Sequence, residues 1–337
     1  MKRTTIQDIA DKTGYSKTAV SFAFNSPSRI SKKAVEAILK AAEELDYIPD
    51  PMARNFSLGK HMSLGFLLPQ RVEYTLMNPY MQSVIRGIAT VCQEHGYTLT
   101  VIPPLHSSVI EAIKNATVDG IITLGLTIDK NIKGILRQRQ MPTVAIDGSL
   151  KDEIHSVSID DEEAAQLQLS KVLEKGHRDI AIISLPDDAY SKRTDETDSV
   201  VNKRKKGYMK ALEKYAMSLS DLRVLSCATT LQDGMDAART ILNERKPTCF
   251  VTMSDVVAFG IMEVLNELDL DISVVGFDGV EIEDFHTTRL TTIHQSGNEK
   301  GKQSAKVLFS LIDGEKAPLK TLIPYSFNEG VTLKETI

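Results

Sequence analysis

The sequence lacks several features that would direct it to a membrane or to an oxidising compartment. No stretch approaches about 18 uninterrupted apolar residues, which a membrane-spanning helix needs. The first residues are basic and polar, with no apolar segment typical of a secretory signal. The three cysteines (Cys92, Cys227 and Cys249) are far apart and odd in number. This pattern argues against a disulfide framework and predicts a cytoplasmic location.

Motifs of common catalytic and metal sites are missing as well. Neither G-x-x-x-x-G-K-[ST] nor G-x-G-x-x-G occurs, so no local phosphate-binding loop is expected. There is no G-x-S-x-G nucleophile turn, and the seven histidines have no H-x-x-x-H or Cys/His spacing. We therefore expect no metal, no cofactor and no enzymatic activity.

The chain does have enough length for two or three domains, and its charge is unevenly distributed. It has 337 residues and a net charge of −5. Residues 1–60 contain ten Lys/Arg and seven Asp/Glu, which gives +3 and leaves −8 for the remainder. A small basic head on an acidic body is typical of a nucleic-acid-binding module attached to a larger domain.

The head contains signals for three short helices. Thr5 can cap the first, Asp8 completes a pattern like a capping box, and Gly14 is free to take the left-handed turn that ends it. Ser16 can cap a second helix and Ser31 a third. This order predicts a helix-turn-helix whose second helix enters the DNA major groove, with a bundle for protein contacts as the alternative.

Apolar spacing assigns the inward and outward faces of these helices. The predicted inward positions are Ala19, Val20 and Ala23 of the second helix, and Val35, Ile38, Leu39, Ala42 and Leu45 of the third. The predicted DNA-binding residues of the head are Thr5, Ser16, Lys17, Thr18, Ser21, Phe22, Asn25 and Arg29.

A short segment after Pro49 has the composition of a further helix. Pro51 suits its first turn, Ala53 and Arg54 follow, and Gly59 stops it. Phe56 in this basic segment is suited to a wedge between base pairs of the minor groove, with Ala53 and Arg54 also at the DNA. An ordinary linker whose Phe packs on a domain is the alternative.

Residues 5–60 resemble the DNA-binding head and hinge of the LacI/GalR family of bacterial transcription regulators. The resemblance rests on TIQDIADKTGYSKTAVSFAFN, RISKKAVEAILKAAEELDYIP and MARNF, and the order of later elements extends it over the whole chain. It implies a dimer whose hinge helices pair in the minor groove of a pseudopalindromic operator. Two departures stand out: Phe22 where the family usually has Arg, which reads guanine, and Phe56 where it usually has Leu.

The body alternates apolar runs with amphipathic stretches, which predicts parallel sheets covered by helices on both faces. The predicted fold class is α/β. An all-α helix-turn-helix head and a hinge helix precede a core of two doubly wound parallel-sheet subdomains, like type I periplasmic binding proteins. The predicted ranges are 1–48 for the head, 49–61 for the hinge and linker, and 62–337 for the core. Within the core, the first subdomain takes about 62–160 and 290–320, and the second about 161–289 and 321–337.

Ligands of such sheets bind at the carboxyl ends of strands, where this chain has carboxylates, an Arg and an aromatic residue. The predicted effector-binding residues are Asn78, Tyr80, Asp161, Arg204, Ser254 and Asp278. For Asp161, Arg204 and Asp278 the resemblance supplies the pattern, in VSIDD, NKRKKGYM and VVGFDG. We expect Asp160, Glu162 and Asp255 to be helix caps instead.

Together these features predict a cytoplasmic, nucleoid-associated regulator, most simply a repressor of a carbohydrate operon. Its partners would be double-stranded operator DNA, a sugar or sugar phosphate as effector, and a second copy of the chain. The C-terminal residues contain no heptad pattern, so a dimer is favoured over a tetramer. A sugar sensor with a weak or altered DNA-binding head, and an enzyme on a Rossmann-like fold, are the rival interpretations.

Overall fold

The structure is a computed structural model that describes residues 4–50, 55, 59–68, 72, 77–126, 128–148, 154–186, 199–280 and 289–336. The chain divides into two compact units, Met1–Met62 and Ser63–Ile337. The predicted hinge residues Ala53, Arg54 and Phe56 lie outside the described residues.

The head unit contains three helices, α1 (Ile6–Thr13), α2 (Lys17–Asn25) and α3 (Lys32–Glu44), with a 3-10 turn at Pro27–Arg29. The predicted caps are present. The Thr5 N–H donates to Asp8 Oδ2 at 2.7 Å, and Ser16 Oγ accepts from the Ala19 N–H at 3.1 Å. Gly14 has φ 75°, a left-handed conformation that lets its N–H reach the Ala10 carbonyl and end α1.

The three helices enclose a small core around Ile9, Val20 and Ile38, each fully buried. The prediction that Leu39 of α3 faces inward is wrong, because its side chain is 42% exposed. Ala41 is buried instead. Positions 34, 38, 41 and 42 follow the helical period, and Leu39 lies about 100° past Ile38 around the axis.

The body contains two six-stranded sheets. The strands of the first sheet are β1 (Ser63–Leu67), β2 (Thr98–Ile102), β3 (Gly120–Leu124), β4 (Thr143–Ile146), β5 (His155–Ser158) and β11 (Lys320–Leu322). Those of the second are β6 (Ile180–Ser184), β7 (Arg223–Ser226), β8 (Cys249–Thr252), β9 (Ser273–Asp278), β10 (Thr291–Gln295) and β12 (Tyr325–Asn328). The first sheet has strand order β11-β5-β4-β3-β1-β2 and the second β12-β10-β9-β8-β6-β7.

Strand pairing is parallel throughout the first sheet, and in the second only β12 runs antiparallel, along β10. Central strands β1, β6, β8 and β9 are buried along their whole length, which is why they are nearly continuous apolar runs in the sequence. Edge strands β2 and β7 alternate between more and less exposed residues.

Helices cover both sheets. They are α4 (Pro79–Glu94), α5 (Val109–Asn115), α6 (Lys130–Gln138), α7 (Asp161–Glu174), α8 (Val200–Glu213), α9 (Leu231–Glu244), α10 (Asp255–Glu267) and α11 (Gly297–Ile312). Within the described ranges, no helix combines the length and the apolar character needed to cross a membrane. The two-sheet fold class predicted from the sequence is confirmed.

Two segments near the C-terminus join the sheet opposite to the one predicted. β10 pairs with β9 in the second sheet, although residues 290–320 were assigned to the first subdomain. β11 pairs with β5 in the first sheet, although residues from 321 onward were assigned to the second. Short polar strands carry no sequence information about which sheet they join, so hydrogen bonding between distant segments decides it.

Among the described residues, three helix pairs pack at backbone contact: α9 with α10, and two pairs that flank the candidate ligand site. A Cβ at Gly87 of α4 would lie 2.1 Å from the Asn298 carbonyl oxygen of α11. A Cβ at Gly207 of α8 would lie 2.1 Å from the Glu162 carbonyl oxygen of α7. Glycine at these positions therefore allows α11 against α4, and α8 against α7, to approach at backbone contact.

Candidate functional site

The N-terminal end of α2 is exposed on the surface of the head. Ser16, Lys17 and Thr18 are exposed and Ser21 is half-buried, as predicted for a helix that presents this end to DNA. Ser16 Oγ is engaged in the helix cap, and the Asn25 side-chain amide donates to Ser21 Oγ at 3.3 Å. Exposed Thr5 donates through Oγ1 to Asp8 Oδ2 at 2.7 Å, so it too is part of a cap.

Phe22 is half-buried and forms a contact that the sequence did not show. The guanidinium carbon of Arg29 lies 5.3 Å from the centroid of the Phe22 ring. Arg29 is exposed at the end of the 3-10 turn that follows α2. The fold thus brings a guanidinium beside the position where the recognition helix itself has no Arg.

In the second subdomain, Arg204 and Asp161 form a buried pair. Arg204 Nε donates to Asp161 Oδ1 at 2.9 Å and Nη1 donates to the Met253 carbonyl at 2.8 Å. The guanidinium carbon also lies 3.5 Å from the centroid of the Phe277 ring. Asp161 begins α7 and Arg204 lies on α8, so the close approach at Gly207 brings the two side chains together.

A second buried chain of hydrogen bonds links the two subdomains. The Tyr80 hydroxyl donates to Asp147 Oδ2 at 3.1 Å, and Lys300 Nζ donates to Asp147 at 2.6 and 2.7 Å. Lys300 Nζ also donates to Gln295 Oε1 at 2.6 Å, and Gln295 Nε2 donates to Asp278 Oδ1 at 2.8 Å. Asp147 and Lys300 belong to the first subdomain, and the strands of Gln295 and Asp278 belong to the second.

The remaining predicted residues divide into caps and candidate ligand contacts. Asn78 Oδ1 accepts from the Tyr80 and Met81 N–H groups and caps α4. Asp160 Oδ1 accepts from the Glu163 N–H at 3.0 Å, so its predicted capping role is confirmed. Glu162, also predicted to cap, instead forms an ion pair with Lys210 of α8.

The prediction that Asp255 is a helix cap is wrong. Asp255 is buried, its Oδ1 accepts from Thr292 Oγ1 at 2.6 Å, and its Oδ2 accepts from the Val280 N–H at 2.7 Å. It therefore ties β10 to the turn that follows Asp278. Ser254 occupies the cap position of α10 but makes no capping bond, and its buried Oγ has no hydrogen-bond partner.

Burial and the local density of carboxylates shift the pKa values of this cluster. Burial and the neighbouring Asp255 raise the pKa of Asp278 to about 7, and burial raises the pKa of Asp255 to about 6. Burial likewise raises the pKa of Asp161, although Arg204 acts in the opposite direction. Burial lowers the pKa of Arg204, but Asp161 and Asp278 outweigh this effect and raise it.

Sequence reasoning missed Asp147, Gln295 and Lys300. Asp147 is the residue directly after β4, so its place at a strand end was a usable signal. Lys300 offered no such signal, because a lysine on an amphipathic helix is normally solvated. Its burial becomes visible only once α11 is packed at backbone contact against α4.

The described residues contain no group of three or more His, Cys, Asp or Glu side chains arranged to hold a metal ion. What the body offers is a set of buried carboxylates, two cations and hydroxyls at the carboxyl ends of strands. This set is suited to hydrogen bonding with a small polar ligand.

Comparison with known proteins identifies two family models along the chain. One, described as periplasmic binding proteins and sugar binding domain of LacI family, matches residues 61–330. The other, described as bacterial regulatory proteins, lacI family, matches residues 5–50.

Similar proteins span nearly the full length. The HTH-type transcriptional repressor PurR of Vibrio campbellii is 28% identical over 91% of this chain and 92% of that protein. The repressor CytR of Escherichia coli K12 is 26% identical over 92% and 90%.

Solved structures show the same fold. The lac repressor dimer bound to operator and the anti-inducer ONPF has a TM-score of 0.81 at 24% identity, covering 99% of this chain and 100% of that one. A LacI-family transcriptional regulator from Corynebacterium glutamicum has a TM-score of 0.71 at 25% identity, with the same coverage. This chain belongs to the LacI family of bacterial regulatory proteins and combines a helix-turn-helix DNA-binding domain with a ligand-binding domain.

Proposed function

We propose that the protein is a transcriptional repressor that binds a pseudopalindromic operator as a homodimer and is controlled by a small sugar-like effector. The observation that carries the proposal is the coexistence of an exposed recognition helix with a buried polar cluster spanning two subdomains. Acting on the nucleoid, the protein would reside in the cytoplasm and would not need catalytic activity.

The head supports the DNA-binding part of this proposal. Lys17 and Thr18 are exposed at the start of α2, the end that a helix-turn-helix places against base edges. Relatives similar along the full chain, including PurR and CytR, are transcriptional repressors by name. The two-fold symmetry of a dimer would require two half-sites, about one helical turn of DNA or a multiple of it apart.

The body supports control by a ligand. Asp147 and Lys300 in one subdomain connect through Gln295 to Asp278 in the other. A ligand that pairs with these groups better at one closure angle would shift the equilibrium between closure states. The shift would pass through the predicted hinge at 49–61 and change operator affinity, which is thermodynamic linkage between two sites.

The proposal is tested by selecting bound sites from a random DNA pool with the purified chain. We expect a pseudopalindrome whose binding weakens steeply with salt, because basic head residues displace counterions. Operator binding is then measured by fluorescence anisotropy in the presence of sugars, sugar phosphates and nucleosides. A change of at least tenfold with one compound supports effector control, and no enriched DNA site contradicts the repressor function.

A second candidate function is a sugar sensor with an altered DNA-binding head. It is favoured only by Phe22, which cannot read guanine as an Arg does. The contact between Phe22 and Arg29 argues against a vestigial head, since it supplies a guanidinium at the same place. Failure to enrich any DNA site, together with ligand binding, would establish the sensor.

A further inference from the structure

A cavity of about 350 Å³ lies at the amino ends of two strands of the first sheet. Thr143, the first residue of β4, and His155, the first residue of β5, both line it. Further lining residues come from α6 and the turn after it, and Leu311 near the end of α11 completes the wall. The volume lies within the range of about 300–1,000 Å³ that small-molecule sites occupy.

This cavity is separate from the buried polar cluster at the carboxyl ends of the strands. Asp147 of that cluster follows the last residue of β4, four residues after Thr143. At about 3.3 Å per residue of parallel strand, the two positions are about 13 Å apart. Leu311 likewise follows Lys300 on α11 by eleven residues, which is about 16 Å along a helix.

One part of the cavity wall is apolar. Leu136 is buried, and Met141, Pro142, Ile154 and Leu311 are half-buried around the cavity. A ligand with an apolar body would remove these side chains from water and gain the free energy of apolar burial.

The ionisable residues of the wall are all basic. They are Lys133, Arg137 and His155, and among the described residues no Asp or Glu lines the cavity. Helix α6 contains Lys130 as a third cation and no acidic residue, although residues 61–337 as a whole carry a charge of −8. The local charge therefore favours an anionic ligand.

The three basic side chains can contact such a ligand. Arg137 is exposed and Lys133 half-buried, and both have other interactions as well. Because ion pairs at the surface contribute little to stability, such cations can change partners readily. His155 Nδ1 lies 2.8 Å from the Pro318 carbonyl oxygen, which can only accept, so Nδ1 carries a proton and the ring is held in place.

The two parts of the wall together restrict the ligand more than either does alone. Inorganic phosphate or a sugar phosphate matches the cations, but it has no apolar body and would place hydroxyls against Met141 and Ile154 without hydrogen-bond partners. An uncharged apolar molecule matches those side chains and gives Lys133 and Arg137 nothing to bind.

We propose that this cavity binds a small organic acid, with its carboxylate at Lys133 and Arg137 and its apolar body against Leu136, Met141 and Ile154. Straight-chain fatty acids and aromatic acids share this chemistry. The cavity is thus a second ligand site on the chain, and its occupancy does not depend on the operator or on the effector proposed above.

The test uses the full chain and isothermal titration calorimetry with matched compounds. Octanoate and cinnamate are the two acids, octanamide and cinnamamide keep the apolar body without the charge, and acetate keeps the charge without the body. We expect one acid to bind, and its amide and acetate to bind at least tenfold more weakly. Comparing octanoate with cinnamate distinguishes the aliphatic from the aromatic source.

Three variants locate the bound acid on the protein. Arg137→Gln and Lys133→Gln each remove a cation from the cavity wall, and we expect each to lower the affinity for the acid at least fivefold. Lys130→Gln is the matched control, because it removes an exposed cation of the same helix that does not line the cavity. Its affinity should equal that of the parent protein.

Several outcomes would overturn the proposal. It is wrong if neither acid binds, or if an amide binds as tightly as its acid. An affinity that is unchanged in both Arg137→Gln and Lys133→Gln would place the acid elsewhere on the chain. A loss in Lys130→Gln as large as in Arg137→Gln would show attraction to the charge of α6 in general. None of these results bears on operator binding, which the DNA selection tests by itself.

Discussion

Each of the two subdomains of the body contains a buried pair of a carboxylate and a cation, and the two pairs differ in their hydrogen bonds. In each, a carboxylate pairs with a cation on a helix that packs at backbone contact: Asp161, the first residue of α7, with Arg204 of α8, and Asp147, directly after β4, with Lys300 of α11. Each cation also lies over an aromatic ring, Arg204 over Phe277 at 3.5 Å and Lys300 over Tyr80 at 5.7 Å.

The difference lies in what the two cations leave unpaired. Lys300 satisfies both oxygens of Asp147, so this pair is complete and serves to hold the subdomains through Gln295. Arg204 leaves Asp161 Oδ2 without a partner. The comparison teaches that two buried ion pairs of similar construction can differ in whether every carboxylate oxygen is paired.

The largest expected effect is the fall in stability when the pair of Lys300 and Asp147 is broken. Lys300→Met leaves the Asp147 carboxylate buried and uncompensated, which should lower the free energy of unfolding by about 3–5 kcal/mol in urea denaturation. Lys306→Met, an exposed position on the same helix, is the control and should change little. Adding Asp147→Asn to Lys300→Met should restore much of the stability, and no recovery would contradict the pairing.

The next largest effect is the pH dependence of stability that comes from Asp278, a buried carboxylate near both cations. The pKa of Asp278 is raised to about 7 in the folded protein against about 3.9 in an unfolded chain, so the folded state binds the proton more tightly. The contribution of Asp278 to the free energy of unfolding is therefore fully present below pH 4. It is lost as the pH rises to 7, at up to about 1.4 kcal/mol per pH unit.

Asp278→Asn should flatten this pH dependence when unfolding is measured between pH 4 and 8. Asp160→Asn, which removes an exposed carboxylate outside the buried cluster, should leave the slope as in the parent protein. If the free energy of unfolding falls between pH 5 and 7 to the same extent in Asp278→Asn as in the parent protein, the assignment to Asp278 is contradicted.

A smaller effect is expected from exchanging the cation of the incomplete pair. Arg204→Lys keeps a charge beside Asp161 but loses the planar fork that also reaches the Met253 carbonyl, which should cost about 1–2 kcal/mol of stability. We expect operator binding to persist and the effector response to weaken at least tenfold. A full response in anisotropy titrations would show that Arg204 does not position the ligand contacts.

The smallest effect is expected at the contact between half-buried Phe22 and exposed Arg29 in the head, which contrasts with both buried pairs. Phe22→Ala removes the ring beside Arg29 and should lower operator affinity by about 0.5–1 kcal/mol, roughly two- to fivefold. Phe22→Arg should instead shift preference toward guanine at one base pair of each half-site. An unchanged preference in a second DNA selection would mean that position 22 does not face DNA.

Local patterns predicted the head and the central strands well, because caps and apolar runs are short-range signals. Thr5, Gly14, Ser16 and Ser31 mark helix ends that the structure confirms.

The candidate ligand site was predicted only in part, because the sequence shows local patterns and not contacts between distant segments. Arg204 and Asp161 were found through their family pattern, and the structure pairs them. Asp255 was assigned to a cap because it follows a strand and begins a helix, yet its carboxylate bonds to Thr292, which is 37 residues away in the sequence. A contact between distant segments leaves no trace in local spacing.

The sequence by itself determined the two-part organisation, the parallel sheets and the family, since these follow from composition, hydrophobic period and contiguous motifs. Only the tertiary structure decided which polar groups are paired and which are orphaned. Lys300 shows the reason: a lysine is stable without water only when a carboxylate and an amide meet it, and Asp147 and Gln295 reach it from other elements. This arrangement depends on Gly87, which allows α4 and α11 to pack at backbone contact in the folded chain.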